Sequence, residues 1–111
     1  MIMRFPNYRQ PDSRDCGPAC LQIICKHYGK HIDIERIRQL MNTGRDGTSI
    51  YDFIEAASQL EIRCLPYSIS YWKFRHEVPL PCVVFWRNNH YVVAYRITSK
   101  NVYVSDPALG L

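Results

Sequence analysis

The stretch that decides the fold runs from Cys82 to Pro107: Cys82-Val83-Val84-Phe85-Trp86, Arg87-Asn88-Asn89, His90-Tyr91-Val92-Val93-Ala94-Tyr95-Arg96-Ile97-Thr98, Ser99-Lys100-Asn101, Val102-Tyr103-Val104-Ser105, Asp106-Pro107. Three runs rich in β-branched and aromatic residues alternate with two short polar connections. Connections that short join antiparallel neighbours, so the runs predict a meander. The first, Cys82 to Trp86, reads as a compact buried strand. The second, His90 to Thr98, alternates. Tyr91, Val93, Tyr95 and Ile97 fall on one face, and His90, Val92, Ala94 and Arg96 on the other. The third, Val102 to Ser105, is closed by Asp106-Pro107.

Upstream of Pro79 and Pro81 the period changes. Pro6 and Pro11 make residues 1–15 a loop. Asp15 is placed to cap a first helix from Cys16, with Gly17 and Pro18 in its first turn. Cys20, Leu21, Ile24 and Tyr28 recur at helical spacing, and Gly29 ends the pattern. A short helix is expected from Asp33 to Met41, with Ile34, Ile37 and Met41 on one face. After the loop Asn42 to Gly47, Thr48 or Ser49 caps a third helix to about Leu60, with Ile50, Phe53, Ile54, Ala57 and Leu60 as its apolar stripe. Ile62 to Tyr67 reads as a strand interrupted by Pro66, and Tyr71 to Phe74 as a helical turn. Helices first and strands after predict an α+β domain, its N-terminal helices packed on a C-terminal antiparallel sheet.

The chain has 111 residues, enough for one core, so residues 1–111 read as a single domain. With 47% hydrophobic and 22% charged residues the chain should fold, which argues against disorder or a low-complexity polymer. No apolar run approaches the ~18–20 residues that span a bilayer. Met1 to Gln10 is too polar for the apolar region of a secretory signal. Five cysteines, an odd number without the spacing of a disulfide scaffold, point to a reducing compartment. The net charge is +4, with basic ends and an acidic middle, and no basic tract suggests a nucleic-acid partner.

The chemistry begins at Cys16. A thiol reacts as its thiolate, and the start of a helix stabilises that anion. Such a nucleophile needs a base, and the base an orienting acceptor. Of the four histidines, His27 and His31 flank the far end of the first helix and His76 lies in a charged segment. His90 opens a strand beside small neighbours, where its ring can point into a cleft. Asp106 ends the next strand, and the hairpin register makes it a neighbour of His90. The Cys16 backbone N–H and the Gln10 side-chain amide are the two candidate donors to an oxyanion. Cys20, Cys25, Cys64 and Cys82 read as packing residues. No CxxC pair occurs, so a structural zinc is not expected.

With Gln10, Asp15-Cys16-Gly17-Pro18-Ala19-Cys20-Leu21, His90 and Asp106-Pro107 in hand, the chain resembles the C39 peptidase family. These are papain-like cysteine peptidase domains at the N-termini of peptide-exporting ABC transporters. The glutamine, five residues, then cysteine, glycine, a variable residue and alanine are in register here. Gly47-Thr48-Ser49 before a helix ending Ala56-Ala57-Ser58-Gln59-Leu60 matches too, as do Pro81 to Trp86 and Asn89 to Val93. The likeness covers about residues 5 to 110. It implies a papain-like fold with Cys16 as nucleophile, His90 as general base and later acid, Asp106 as orienting residue and Gln10 as oxyanion donor. No cofactor and no metal are implied. The implied substrate is the leader of a secreted peptide precursor, cut after a Gly-Gly pair. The leader would dock as an amphipathic helix in a groove to which Tyr67, Tyr71 and Trp72 are candidates, although each taken singly suits core packing. The implied partners are the membrane and ATPase domains of a transporter, on the cytoplasmic side of the inner or plasma membrane, with this piece itself soluble. The alternative is a C39-like module that docks leaders without cutting them. Glu61 stands where the family more often has glycine after the third helix. Asp106 lies five residues before the last residue, so the chain reads as a peptidase domain trimmed close to its site.

Overall fold

Seven elements follow one another in the computed structural model, which describes residues 15–44, 47–66, 71–86 and 90–108, with Tyr71, Lys73 and Trp86 described by backbone alone. They are α1 (Cys16–His27), α2 (Ile34–Met41), α3 (Ile50–Gln59), α4 (Tyr71–Glu77), β1 (Cys82–Trp86), β2 (His90–Ile97) and β3 (Val102–Ser105). The helices-then-strands order is the expected one, and the fold class is α+β.

α1 is the centre of the molecule. Residues Cys16 to Leu21 and Ile23 to Cys25 are all buried, because β2 lies on one side of the helix and α2 and α3 on others. Such a helix is apolar nearly all round rather than striped. Gln22 is the polar exception, and its amide donates to the Ile32 carbonyl at 3.2 Å. Ile37 and Met41 of α2 and Phe53, Ala56, Ala57 and Leu60 along α3 complete the core, together with Tyr91 and Val93 of β2. Ser49 caps α3, its hydroxyl accepting from the Asp52 N–H at 3.1 Å.

All three of these helices end the same way. One or two residues past each C-terminus the chain takes a left-handed conformation, at Gly29 (φ 83°), Asn42 (φ 53°) and Glu61 (φ 65°). Paired reverse bonds close the ends, Lys30 N–H to Cys25 O and Gly29 N–H to Lys26 O after α1, and Ile62 N–H to Ala57 O and Glu61 N–H to Ser58 O after α3. This is the Schellman arrangement, favoured by glycine and tolerated by asparagine. Glu61 occupies it with a side chain that strains the backbone.

Four expectations are corrected. Tyr28 leaves the apolar stripe and is 60% exposed, because α1 stops at His27 and the chain turns away at Gly29. Residues 62–66 form no strand, with Ile62 and Cys64 packing on the core from irregular backbone. Pro66 has no N–H to give a ladder. The expected turn at Tyr71 extends into α4, to Glu77. β1 is half-buried rather than enclosed, and Phe85 is exposed. Tyr67 and the Arg87-Asn88-Asn89 connection lie outside the described residues.

The sheet is the antiparallel meander β1-β2-β3. β1 pairs with β2 from Cys82↔Ala94 to Trp86↔His90. The second hairpin carries an irregularity. Ile97 faces Val102 and Arg96 faces Tyr103, but then Ala94 faces Val104 and Val93 faces Ser105, so Tyr95 is an extra residue in a β-bulge. The bulge shifts every later pairing by one position.

Candidate active site

That shift decides which side chains meet. In an unbroken ladder from Ile97↔Val102, Asp106 would fall opposite Val93 and project to the face of Tyr91 and Val93. With Tyr95 looped out, the ladder runs through Ala94↔Val104 to Val93↔Ser105, and one further step along it turns Asp106 to the face that also carries His90. The His90 Nε2–H then donates to Asp106 Oδ1 at 3.0 Å. The same oxygen accepts the Ala108 N–H at 2.8 Å, so Asp106 both orients the imidazole and closes the turn after β3. The carboxylate is nearly buried, and the His90 side chain is 26% exposed, reachable from solvent.

Cys16 is the first residue of α1 and is 5% exposed. Its surroundings converge on the same corner of the sheet. Cys20, one turn along, has its thiol pushed well up by burial, then by negative charge at Cys16 and at Asp106. Tyr91, the residue after His90, is pushed up by burial and then by Cys16, Cys20 and Asp52. Cys20 therefore lies within electrostatic reach of Cys16 and of Asp106, and Tyr91 within reach of Cys16, Cys20 and Asp52.

The head of α1 is also tightly fitted. A β-carbon on Gly17 would come within 3.1 Å of the Thr48 Cβ and 3.5 Å of the Tyr91 ring. Thr48 is in turn held on two sides. Its carbonyl accepts the Tyr91 hydroxyl at 2.8 Å, and its Oγ1 lies 2.9 Å from the Thr43 hydroxyl. The Tyr91 ring stacks on Phe53 at 5.3 Å and meets Phe85 at 4.5 Å. Glycine at position 17 lets the helix start approach the loop before α3 and β2 together.

Asp15 departs from its expected role. It occupies the N-cap position, but its side chain makes no capping bond. Its carboxylate, 1% exposed, is turned to Arg38 of α2 instead. Arg38 Nε donates to Oδ1 at 2.9 Å and Nη2 to Oδ2 at 2.8 Å. The hydrogen bond to Asp15 holds the guanidinium above its ordinary pKa. The sequence patterns give Arg38, Thr48 and Tyr91 no role at the site: Thr48 reads as a candidate helix cap and Tyr91 as one face of a strand. Arg38 follows Ile37 at the border of the α2 stripe, and no local pattern marks its partner.

The remaining thiols sit in packing positions. Burial pushes up Cys25, Cys64 and Cys82, the last to about 11. Among the described residues, no group of three or more His, Cys, Asp and Glu is arranged to hold a metal ion. His31 Nε2 lies 2.7 Å from Lys26 Nζ at the opposite end of α1 from Cys16. Gln10, Tyr67 and the Tyr71 side chain lie outside the described residues. Trp72 is described, exposed, and packed against His76 at 4.8 Å rather than in the core. No helix among the described residues is long and apolar enough to cross a membrane.

Comparison with known proteins bears on this arrangement. The sequence model of the peptidase C39 family matches residues 4–111. The chain is 34% identical over 107 residues to the lactococcin-G-processing and transport ATP-binding protein LagD of Lactococcus lactis subsp. lactis, covering 91% of this chain and 15% of that protein. It is 31% identical over 108 residues to the colicin V secretion/processing ATP-binding protein CvaB of Escherichia coli, covering 97% of this chain and 15% of the relative. It thus spans about a seventh of these two relatives' length. Among solved structures, a double glycine motif protease from an AMS/PCAT transporter, in complex with the leader peptide, superposes with a TM-score of 0.92 at 29% identity, covering 96% of this chain and 76% of that one. The peptidase domain of Streptococcus ComA, a bi-functional ABC transporter, superposes with a TM-score of 0.79 at 29% identity, covering 94% and 80%.

Proposed function

This chain belongs to the peptidase C39 family, and from that premise we propose that it is a cysteine endopeptidase that removes the leader from a secreted peptide precursor after a Gly-Gly pair. The observation that carries the reading is the His90 Nε2 to Asp106 Oδ1 hydrogen bond beside a helix that begins at Cys16. With Nε2–H committed to Asp106, the imidazole presents Nδ1 as the proton acceptor.

In the proposed reaction His90 Nδ1 takes the Cys16 proton, and the thiolate attacks the carbonyl carbon of the second glycine. The oxyanion forms against the Cys16 backbone N–H and the Gln10 side-chain amide. Collapse of the tetrahedral intermediate breaks the C–N bond, and His90 returns the proton to the departing amine. Water, deprotonated by His90, then hydrolyses the thioester and frees Cys16. Asp106 holds the ring and stabilises the imidazolium.

The leader is the proposed partner in recognition, docked as an amphipathic helix, with Tyr67, Tyr71 and Trp72 proposed to line its groove. The structural relative bound to a leader peptide supports this assignment. The processing and transport names of the longer relatives support a setting beside the membrane and ATPase domains of an ABC transporter, on the cytoplasmic side of the membrane.

The test is incubation with Gly-Gly leader precursors, read by mass spectrometry. Wild-type protein is expected to release the leader, and Cys16→Ala to bind the precursor without cutting it. Cleavage by Cys16→Ala removes the nucleophile assignment. Binding without cleavage by the wild type makes the chain a docking module.

A further inference from the structure

An aspartate directly before a helix ordinarily turns its carboxylate onto the first-turn amides. At the head of α1 that would place a full negative charge where the Cys16 thiolate has to form. It would also take up donors that steady the thiolate and the oxyanion. The supply there is already reduced, because the third residue is Pro18, which has no N–H. In this structure the Asp15 carboxylate is directed away from the amides into a two-pronged pair with Arg38, with both contacts below 3 Å and the carboxylate enclosed. Arg38 is itself steadied by Glu35, at 2.6 Å through Nη1 on the exposed side of α2.

We propose that Arg38 is a positioning residue for the Cys16 nucleophile: by clamping and neutralising Asp15 it keeps the carboxylate off the head of α1 and makes Cys16 easier to ionise. This rests on the peptidase reading only in taking Cys16 as the nucleophile. Among the described residues, the charged and titratable groups on the elements packed against the head of α1 come from every one of those elements. They are Asp15 and Cys20 along α1, Arg38 with Glu35 from α2, Asp52 from α3, His90 and Tyr91 from β2, and Asp106 after β3. Of these, Asp15 and Arg38 are the opposite charges that meet at the head of α1: without Arg38 the enclosed carboxylate loses that partner, and without Asp15 the guanidinium keeps Glu35 on the exposed side of α2.

The consequence is a pair of opposite signs. Arg38→Met leaves an unpaired carboxylate and makes the thiolate harder to form. Asp15→Asn leaves the guanidinium paired with Glu35 alone, removes the carboxylate beside Cys16 and makes the thiolate easier to form. A pair that only holds α1 to α2 moves both variants the same way, or moves neither. The experiment is the pH dependence of Cys16 alkylation by iodoacetamide, quantified on the Cys16 peptide by mass spectrometry, with circular dichroism confirming the fold. Arg38→Met is expected to raise the midpoint by about one pH unit and Asp15→Asn to lower it by a similar amount. The Asp15→Asn/Arg38→Met double variant is expected to return near the wild-type value. Shifts of the same sign, or none, overturn the proposal. Should Arg38→Met fail to fold, Asp15→Asn alone decides: a lowered midpoint supports the clamp, and a raised or unchanged one refutes it. Precursor cleavage by the wild type is scored separately. Opposite shifts in a protein that does not cleave overturn the peptidase reading and leave the electrostatic role of the pair standing.

Discussion

Cys16 heads a helix that is buried along nearly its whole length, while His90 and Asp106 stand at strand ends, with the imidazole open to solvent. The two halves of the candidate site are held by different physics. On the helix side, steric fit dominates: a β-carbon at Gly17 would crowd Thr48, Thr48 is fixed by two hydrogen bonds, and Asp15 is pinned by Arg38. On the strand side a single hydrogen bond, delivered by a bulge, joins His90 and Asp106. Packing tolerates little displacement but spreads its load over many contacts. A register-dependent pair is simpler, and the loss of one partner removes it outright.

The largest expected effect follows from that contrast. Asp106→Ala is expected to lower kcat by roughly 10²–10⁴ with little change in KM for a Gly-Gly precursor, because the ring loses its orienting acceptor while the leader-docking surface is untouched. An unchanged kcat would remove Asp106 from the site.

A second effect sharpens the difference between Cys16 and the packing thiols. Burial raises Cys82 from about 9 to about 11. The unfolded chain therefore ionises this thiol first, and the native state loses stability as pH rises from about 9 through about 11. Cys82→Ala is expected to flatten that alkaline decline by about 1–2 kcal/mol, reduced from the full linkage value because β1 is half-buried. Denaturant unfolding at pH 8 and pH 11 checks it, and equal slopes in both proteins would refute it.

Gly17→Ala tests the helix side. The added methyl approaches Thr48, which its two bonds hold in place, while alanine improves helix propensity by about 0.8–1 kcal/mol. The two terms oppose, so stability is expected to change by less than about 1 kcal/mol. The helix start moves, and kcat/KM is expected to fall several-fold, on the order of 3–10. Loss of stability without loss of rate would mean that the fit at Gly17 does not position Cys16.

The smallest effect is expected away from both halves. Glu61→Gly relieves the left-handed strain after α3 and is expected to stabilise the protein by about 0.5–1 kcal/mol, without change in activity. Its ion pair with Lys30, at 3.8 Å with Glu61 exposed, contributes little to offset that gain. Thermal unfolding distinguishes this outcome from a neutral one.

Much of this is legible in the sequence alone. The helix from Cys16, a capping hydroxyl at Thr48 or Ser49, and the three strands at Cys82, His90 and Val102 rest on periodicity, caps and turn lengths. Those signals reach only a few residues along the chain. The readings that failed were also local: Tyr28 kept a helical spacing past the end of its helix, and residues 62–66 had strand-like composition without a partner strand to pair with.

The sequence by itself determined the type and order of the elements and put a cysteine at a helix start and a histidine at a strand start. It also suggested that His90 and Asp106 are neighbours. Only the tertiary structure decided how they become so, because the plain ladder would have turned Asp106 to the other face and the bulge at Tyr95 turned it back. Tertiary structure likewise decided that Asp15 serves no cap. Its partner lies 23 residues away on another helix, and such pairings arise from how helices pack, which no local pattern encodes.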